Sequence, residues 1–327
     1  MNPRDLINRL NLLCRGYQHA QILFAALKAG VFQHLERPRT AAEVAECVGW
    51  DPRGIRMLLD GLVAIELVAS ERGRYRNLPI AAQCLVPGAP ADQTHILEHS
   101  ANAYETWGQL ARAVRTGKAI MRERTDRTPE QLRAFILGMA DLARHGAPAV
   151  LEAVDFSGSR RMLDAGAGPG AYSIAFLKAH PRLHATLFDL PPVVAIAREQ
   201  VEAAGLTGRA DFIEGDLARD DLGGGYDLVF VSNIIHSFGP EANRALVQKC
   251  HAALAPGGML VIKDFLVDED RTGPAFSLVF ALNMLVHTGE GDTYTCGEVS
   301  AWTDAAGFKP GRFADLGFAS RLWVAEK

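Results

Sequence analysis

Asp164-Ala-Gly166-Ala-Gly168-Pro-Gly170 lies directly after a strand-like run and opens a helix-like one. Glycine lets backbone approach a ligand with no Cβ in the way. A helix N-terminus adds free N–H groups and the positive end of a dipole. The same letters satisfy G-x-G-x-x-A with Gly166, Gly168 and Ala171, so a dinucleotide remains open as the ligand. The acids discriminate better. Asp189 ends LFDL, 19 residues after Gly170, where a carboxylate accepts both ribose hydroxyls of NAD or of S-adenosylmethionine. Gly215 and Asp216, in FIEGD, stand where an adenine amino group is met. Asp164 is read inside the first loop, where it holds an ammonium. A pyrophosphate is repelled there; the amino-acid end of S-adenosylmethionine is not. The bland alternative is that the glycines make a tight turn and the acids cap helices.

His236 follows the strand-like run YDLVFVSNII. The carboxyl ends of such strands are where ligands bind in open α/β sheets. Histidine titrates near ~6.5, so at neutral pH it accepts a phenolic proton. Asp264, at the end of VIKD, would fix its tautomer. The competing reading is a structural or substrate-contact histidine. The other nine histidines show no metal-ligand spacing, and no metal is expected. The segment 275–290, AFSLVFALNMLVHTGE, is apolar nearly all round. It reads either as a buried helix or as a pocket wall with Phe280, Asn283, Met284 and His287 reaching in. Trp107 and Tyr104 are candidates for the opposite wall; Met and aromatic side chains adapt to flat rings.

Alternating elements must position these groups. From residue 160, strand-length apolar runs alternate with helical segments: RMLDAG and AYSIAFLKAH, ATLFDL and PVVAIAREQVEAAG, ADFIEGD, YDLVFVSNII and EANRALVQKCHAAL, GGMLVIKDFL, and RLWVAEK. This predicts a mainly parallel sheet with helices on both faces, an α/β fold. Before it the chain reads helical. HAQILFAALKAGVFQHL is a helix; Thr40 and Glu43 form a capping box; Asp51 caps a helix with Pro52 at its first position. VASERGRYRNLPIA gives two extended pieces around Gly73. Helix, helix, helix, hairpin is the winged-helix pattern. Two helical stretches, 93–117 and 129–153, follow, joined by the polar GKAIMRERTDRTP, read as a mobile surface connection.

The chain has 327 residues, a prior of roughly two domains. Residues 1–152 carry 19 Lys/Arg and 16 Asp/Glu; the remainder carries 15 and 22. This agrees with a boundary near 153–160. The expected domains are 1–90, a helical connector 91–152 contributing to the substrate pocket, and 153–327. A net charge of −4 gives no support for a nucleic-acid partner. The helix after Asp51 carries only Arg53 and Arg56 as bases against Asp51, Asp60 and Glu66, which suits a dimer interface better than base readout. No apolar run approaches the ~20 residues of a membrane span. No signal peptide is read, and five scattered cysteines without CxxC fit a reducing cytoplasm.

These segments together resemble a known family. DFSGSRRMLDAGAGPGAYS, LFDLPPVV, FIEGDLA, YDLVFVSNIIHSFGPEANRALVQKCHAALAPGGMLVIKDF and DAAGF look like the class I small-molecule O-methyltransferases of the plant caffeate and bacterial polyketide type. The resemblance covers nearly the whole chain. It implies a Rossmann-like catalytic domain behind a winged-helix dimerisation domain, a homodimer, and S-adenosyl-L-methionine as methyl donor, leaving S-adenosyl-L-homocysteine. It further implies that Gly166 and its loop hold the methionine part, that Asp189 binds ribose with Leu190 beside it, and that Asp216 and Leu217 flank the adenine. Met139, in AFILGMADL, matches a methionine lining the active site. His236 falls on the family's general base and Asp264 on the acid that orients it. Two positions depart from the pattern. A lysine four residues before the histidine is Ser232 here, kept among the cofactor-binding positions, and a second flanking glutamate falls at Thr293. Relatives with altered sites methylate carbon or have lost methyl transfer. The expected reaction is in-line displacement of the sulfonium methyl by an oxygen of a hydroxylated aromatic or polycyclic compound. The alternatives are C-methylation, a nicotinamide oxidoreductase on the same glycine loop, and a winged-helix ligand-sensing regulator.

Overall fold

The computed structural model describes residues 2–120 and 127–327. Of the connection 117–129, expected to be mobile, residues 121–126 lie outside the described residues. The chain divides into two compact units, Met1–Asn102 and Ala103–Lys327. The division falls inside the segment 91–152 that the sequence suggested as one connector.

In the first unit, α1 (Pro3–Ala29) starts sixteen residues before the expected helix, because Asn2 caps it and Pro3 takes the first turn. Thr40 and Glu43 make the expected capping box on α2 (Ala41–Val48). Asp51 caps α3 (Pro52–Ala64) by accepting from the Gly54 N–H. β1 (Val68–Glu71) and β2 (Arg74–Asn77) form an antiparallel hairpin. α4 (Pro79–Cys84) follows, and α5 (Thr94–Trp107) begins in this unit. Ala26, Phe32, Ile55, Leu59, Leu62 and Val68 form its core. Gly61 lets α1 and α3 pack closely: a Cβ there would lie 3.3 Å from Ile22 Cδ1.

The second unit continues with α6 (Leu110–Thr116) and α7 (Pro129–Ala153). Then β3 (Arg161–Ala165), α8 (Ala171–Ala179), β4 (His184–Asp189), α9 (Pro191–Ala203), β5 (Ala210–Glu214), β6 (Tyr226–Ser232), α10 (Pro240–Ala253) and β7 (Leu254–Asp264) alternate as expected. α11 (Ala275–His287), α12 (Cys296–Ala306), β8 (Arg312–Asp315) and β9 (Arg321–Glu326) complete the chain. The seven strands lie in the order β5-β4-β3-β6-β7-β9-β8. All neighbours are parallel except β7–β9 and β8–β9. The order reverses between β3 and β6, the switch point where such sheets open a crevice at their carboxyl ends.

Both sheet faces are covered. Phe176, Leu177, Ala197, Val201 and Val150 from α8, α9 and α7 pack on Phe230, Val261 and Leu187. Leu246, Val247, Val299 and Trp302 from α10 and α12 pack on Val229, Leu260 and Ile262. This two-sided burial explains why the strands read as continuous apolar runs.

Candidate functional site

The carboxyl ends of five parallel strands bring the chemistry-bearing residues to one edge of the sheet. The turn after β3 bends through Gly166, Gly168 and Gly170, all at positive φ. They are not equivalent. A Cβ on Gly166 would lie 2.3 Å from Ile234 Cδ1, and one on Gly170 would lie 2.6 Å from Leu187 Cδ2. Those two are required by the protein's own packing. At Gly168 a Cβ would meet nothing within 4 Å, so this is the position where backbone lies open. Gly215 is again a packing glycine, with Phe188 Cζ 2.4 Å from its absent Cβ.

Asp189 ties this loop to β4: its carboxylate accepts from Gly168 N at 2.8 Å and Leu190 N at 2.7 Å. A carboxylate offers about four acceptor positions, the chemistry a ribose diol needs. Asp216 accepts from the Ala218 N–H at 2.9 Å, and Leu217 beside it is buried. Leu190 packs in a small cluster with Ile136, Phe135, Val193 and Ile196, and Met139 is half-buried one helical turn beyond Phe135 on α7.

Asp164 is placed differently from the loop position expected. It belongs to β3, is 2 % exposed, and accepts from the Ser173 hydroxyl at 2.6 Å. Burial pushes its carboxyl up to about 7, the Ser173 hydrogen bond opposes this, and the Asp189 charge adds to it. The native chain therefore holds a proton that the unfolded chain releases near pH 4. Stability contributed by this group falls as pH rises from about 4 to about 7. Asp164→Asn keeps an acceptor for Ser173 and cannot ionise. It is expected to be more stable than the parent at pH 8, by on the order of 1–4 kcal/mol, and not at pH 4. Urea midpoints at the two pH values check this; equal midpoints for variant and parent at pH 8 would contradict it.

His236 lies in the short 3-10 turn after β6 and is 8 % exposed. Its Nδ1 is 2.7 Å from Asp264 Oδ1 at the end of β7. Asp264 is 1 % exposed and also accepts from the Phe265 N–H at 2.8 Å. Burial alone would raise the Asp264 carboxyl, but His236, the Phe265 N–H and the Lys263 charge hold it below its ordinary value. An ionised Asp264 only accepts, so Nδ1–H donates and Nε2 is left as an acceptor. The ring is walled by Phe280, edge-on at 4.9 Å between centroids, and by Phe265, stacked at 6.2 Å. Phe265 also meets Phe276 and Phe280 edge-on.

Of the other expected pocket residues, Phe280 touches the histidine ring. Trp107 Nε1 donates to Asn283 Oδ1 at 2.9 Å, and His287 Nε2 lies 2.9 Å from Thr106 Oγ1. These pairs fasten the end of α5 to α11. Met284 and His287 are buried, whereas Phe276 and Val279 are exposed, so α11 is buried along one side and not all round. Thr293 is buried and its hydroxyl completes no hydrogen bond. Ser232 Oγ is shielded from solvent beside the Tyr172 phenol.

The arrangement fits S-adenosylmethionine on its own chemistry. An open Gly168, a ribose-type acid at Asp189, and a buried carboxylate facing a hydroxyl and another acid suit a ligand with a diol and a cationic amino-acid end. Among the described residues, no group of three His, Cys, Asp or Glu side chains is placed to hold a metal ion.

A family model described as an O-methyltransferase domain matches residues 107–309, and one described as an O-methyltransferase dimerisation domain matches 12–87. The chain belongs to the O-methyltransferase family. The methyltransferase is 36% identical over 306 residues to the 3-hydroxy-5-methyl-1-naphthoate 3-O-methyltransferase of Streptomyces sahachiroi, covering 90% of this chain and 87% of that one. It is 31% identical to the tetracenomycin polyketide synthesis 8-O-methyl transferase TcmO of Streptomyces glaucescens, covering 99% and 97%. Its structure is similar to that of human N-acetylserotonin methyltransferase in complex with SAM, with a TM-score of 0.91, 29% identity, and coverage of 100% and 99%. It is an S-adenosylmethionine-dependent O-methyltransferase, and the nicotinamide alternative falls. No helix among the described residues is long and apolar enough to cross a membrane.

Sequence reasoning did not single out Phe265, which stacks on His236, or Lys263 and Tyr172, which meet on the sheet face of Ser232. Lys263 left a signal, a lone charge within the apolar run MLVIKDF.

Proposed function

We propose that the methyltransferase transfers methyl to a ring hydroxyl of an aromatic or polycyclic acceptor, with His236 Nε2 taking the hydroxyl proton. The observation that carries this reading is the 2.7 Å His236–Asp264 contact, which commits Nδ1 and leaves Nε2 to accept. Phe265, Phe276 and Phe280 offer apolar ring faces beside it, suited to a flat acceptor. Relatives named for a hydroxynaphthoate and for tetracenomycin support the same class of acceptor. S-adenosylmethionine, when bound, supplies an electrophilic methyl group on a sulfonium. The loop of Gly166 and Gly168 is the group to hold its methionine part, Asp189 and the Asp216–Leu217 pair its nucleoside, and Asp164 its ammonium. Asp264 orients the imidazole and stabilises the imidazolium that forms. Positioning of two bound reactants supplies most of the rate, up to ~7–11 kcal/mol in favourable systems.

Incubation with methyl-labelled S-adenosylmethionine and a panel of hydroxynaphthoates and hydroxyanthraquinones tests the reading. Label is expected in an aryl methyl ether, identified by NMR. Label on ring carbon would instead establish C-methylation.

We further infer a homodimer in the cytoplasm. The dimerisation-domain match supports the association. So does a stripe of exposed apolar side chains on α1, Leu6, Leu10, Leu13 and Tyr17, at heptad spacing.

A further inference from the structure

Lys263 is a buried cation that the proposed proton transfer does not use. It is 4 % exposed, on β7 beside Asp264 but on the opposite sheet face. An ammonium carries three donors, and Asn233 Oδ1, at 3.2 Å, takes one. Burial pulls its pKa down to about 8 against the charge of Asp264. A lysine kept out of water at this cost calls for an anion.

Its surroundings describe that anion. Ser232 and Lys263 are paired across parallel strands, so both side chains rise from the same face. The Ser232 hydroxyl is shielded from solvent and meets the Tyr172 phenol, whose hydrogen bond with it opposes the effect of burial on that phenol. Lys263 Nζ stands 5.7 Å from the Tyr172 ring centroid and 5.4 Å from that of Phe265. Gly146 on α7 lets the Tyr172 hydroxyl lie against it: a Cβ there would stand 2.6 Å from the Tyr172 Oη and 3.9 Å from Lys263 Cε. Asp164 shares this sheet face through its register with Phe230, and its charge acts on the same phenol. A buried acid and a buried base thus flank Tyr172 at the start of α8, next to the glycine turn. That is the complement of a zwitterionic amino acid.

We propose that Lys263, with the Ser232 and Tyr172 hydroxyls, forms a carboxylate-binding subsite whose occupant is the amino-acid carboxylate of S-adenosylmethionine. This rests on the reading of the glycine turn as the donor's binding loop. An acidic group on the methyl acceptor is the other source of the same chemistry, because Phe265 joins Lys263 to the His236 wall.

Titration calorimetry with S-adenosylhomocysteine and its decarboxylated counterpart tests the subsite without turnover. The parent protein is expected to prefer the carboxylate form by about tenfold or more. Lys263→Met is expected to weaken S-adenosylhomocysteine by a similar factor and to leave the decarboxylated ligand unchanged. If instead both nucleosides bind Lys263→Met as they bind the parent, the acceptor arm decides. A KM for a hydroxynaphthoate raised about tenfold, with that of the matching naphthol unchanged, places the acceptor's carboxylate in the subsite. No carboxylate preference in either arm overturns the proposal. The comparison of ligands on the parent protein stands even if Lys263→Met fails to fold. A parent that binds neither nucleoside would sink the donor-site reading itself, a result distinct from loss of carboxylate preference.

Discussion

Replacing His236 by alanine is expected to lower turnover by ~10²–10⁴-fold while S-adenosylhomocysteine affinity stays within about twofold. The imidazole is held by Asp264 and walled by two phenylalanines, and it touches none of the groups assigned to the nucleoside. Its loss removes the proton acceptor and leaves the donor's site intact. Asp264→Asn is expected to cost less, because a carboxamide oxygen still accepts from Nδ1–H but no longer stabilises an imidazolium. The pH profile follows. Asp264 is held below the ordinary carboxylate range, so it stays ionised across the assay window and contributes no limb there. A limb of the profile that depends on the base is expected to vanish in His236→Ala. Turnover near that of the parent on a good acceptor would contradict the assignment.

The second large effect is expected at Asp189. Its carboxylate binds Gly168 N and Leu190 N, so it shapes the one open glycine of the turn as well as offering acceptors to a diol. Asp189→Ala removes both. Hydrogen bonds to a charged group are worth about 1.5–3 kcal/mol, so S-adenosylhomocysteine is expected to bind about 10–150-fold more weakly. Calorimetry reads this directly. Affinity within about threefold of the parent would mean that the diol is held elsewhere.

Much of this site was legible because each signal was local. The glycine turn, the acids at strand ends and the histidine after YDLVFVSNII all sit where a strand meets a loop, and strand-length apolar runs mark those places. What failed was decided by tertiary packing. Asp164 reads as a loop residue because it adjoins glycine, yet it completes the β3 ladder with Leu187 and Phe230. Gly166 and Gly170 read as ligand-facing, but Ile234 and Leu187 occupy the space beside them. The first half of α1 carries Leu6, Leu10, Leu13 and Tyr17 at heptad spacing, yet these side chains are exposed and lie outside the core of their own unit, and the expected helix begins only at His19. β8 is four residues, mostly exposed, and exists only through its pairing with β9. Lys263 breaks the apolar pattern of β7, and its burial depends on α7 and α8 meeting above it, which no window of sequence contains.

The claim on which the account turns is that His236 removes a proton. The most direct test compares parent and His236→Ala across acceptor hydroxyls of decreasing pKa at one pH, under saturating S-adenosylmethionine. A general base matters only where the hydroxyl is still protonated. The parent-to-variant rate ratio is therefore expected to be large for weakly acidic phenols and to shrink toward one as the acceptor becomes ionised in solution. A ratio that stays constant across the series would contradict general-base catalysis and leave His236 as a residue that only positions the acceptor.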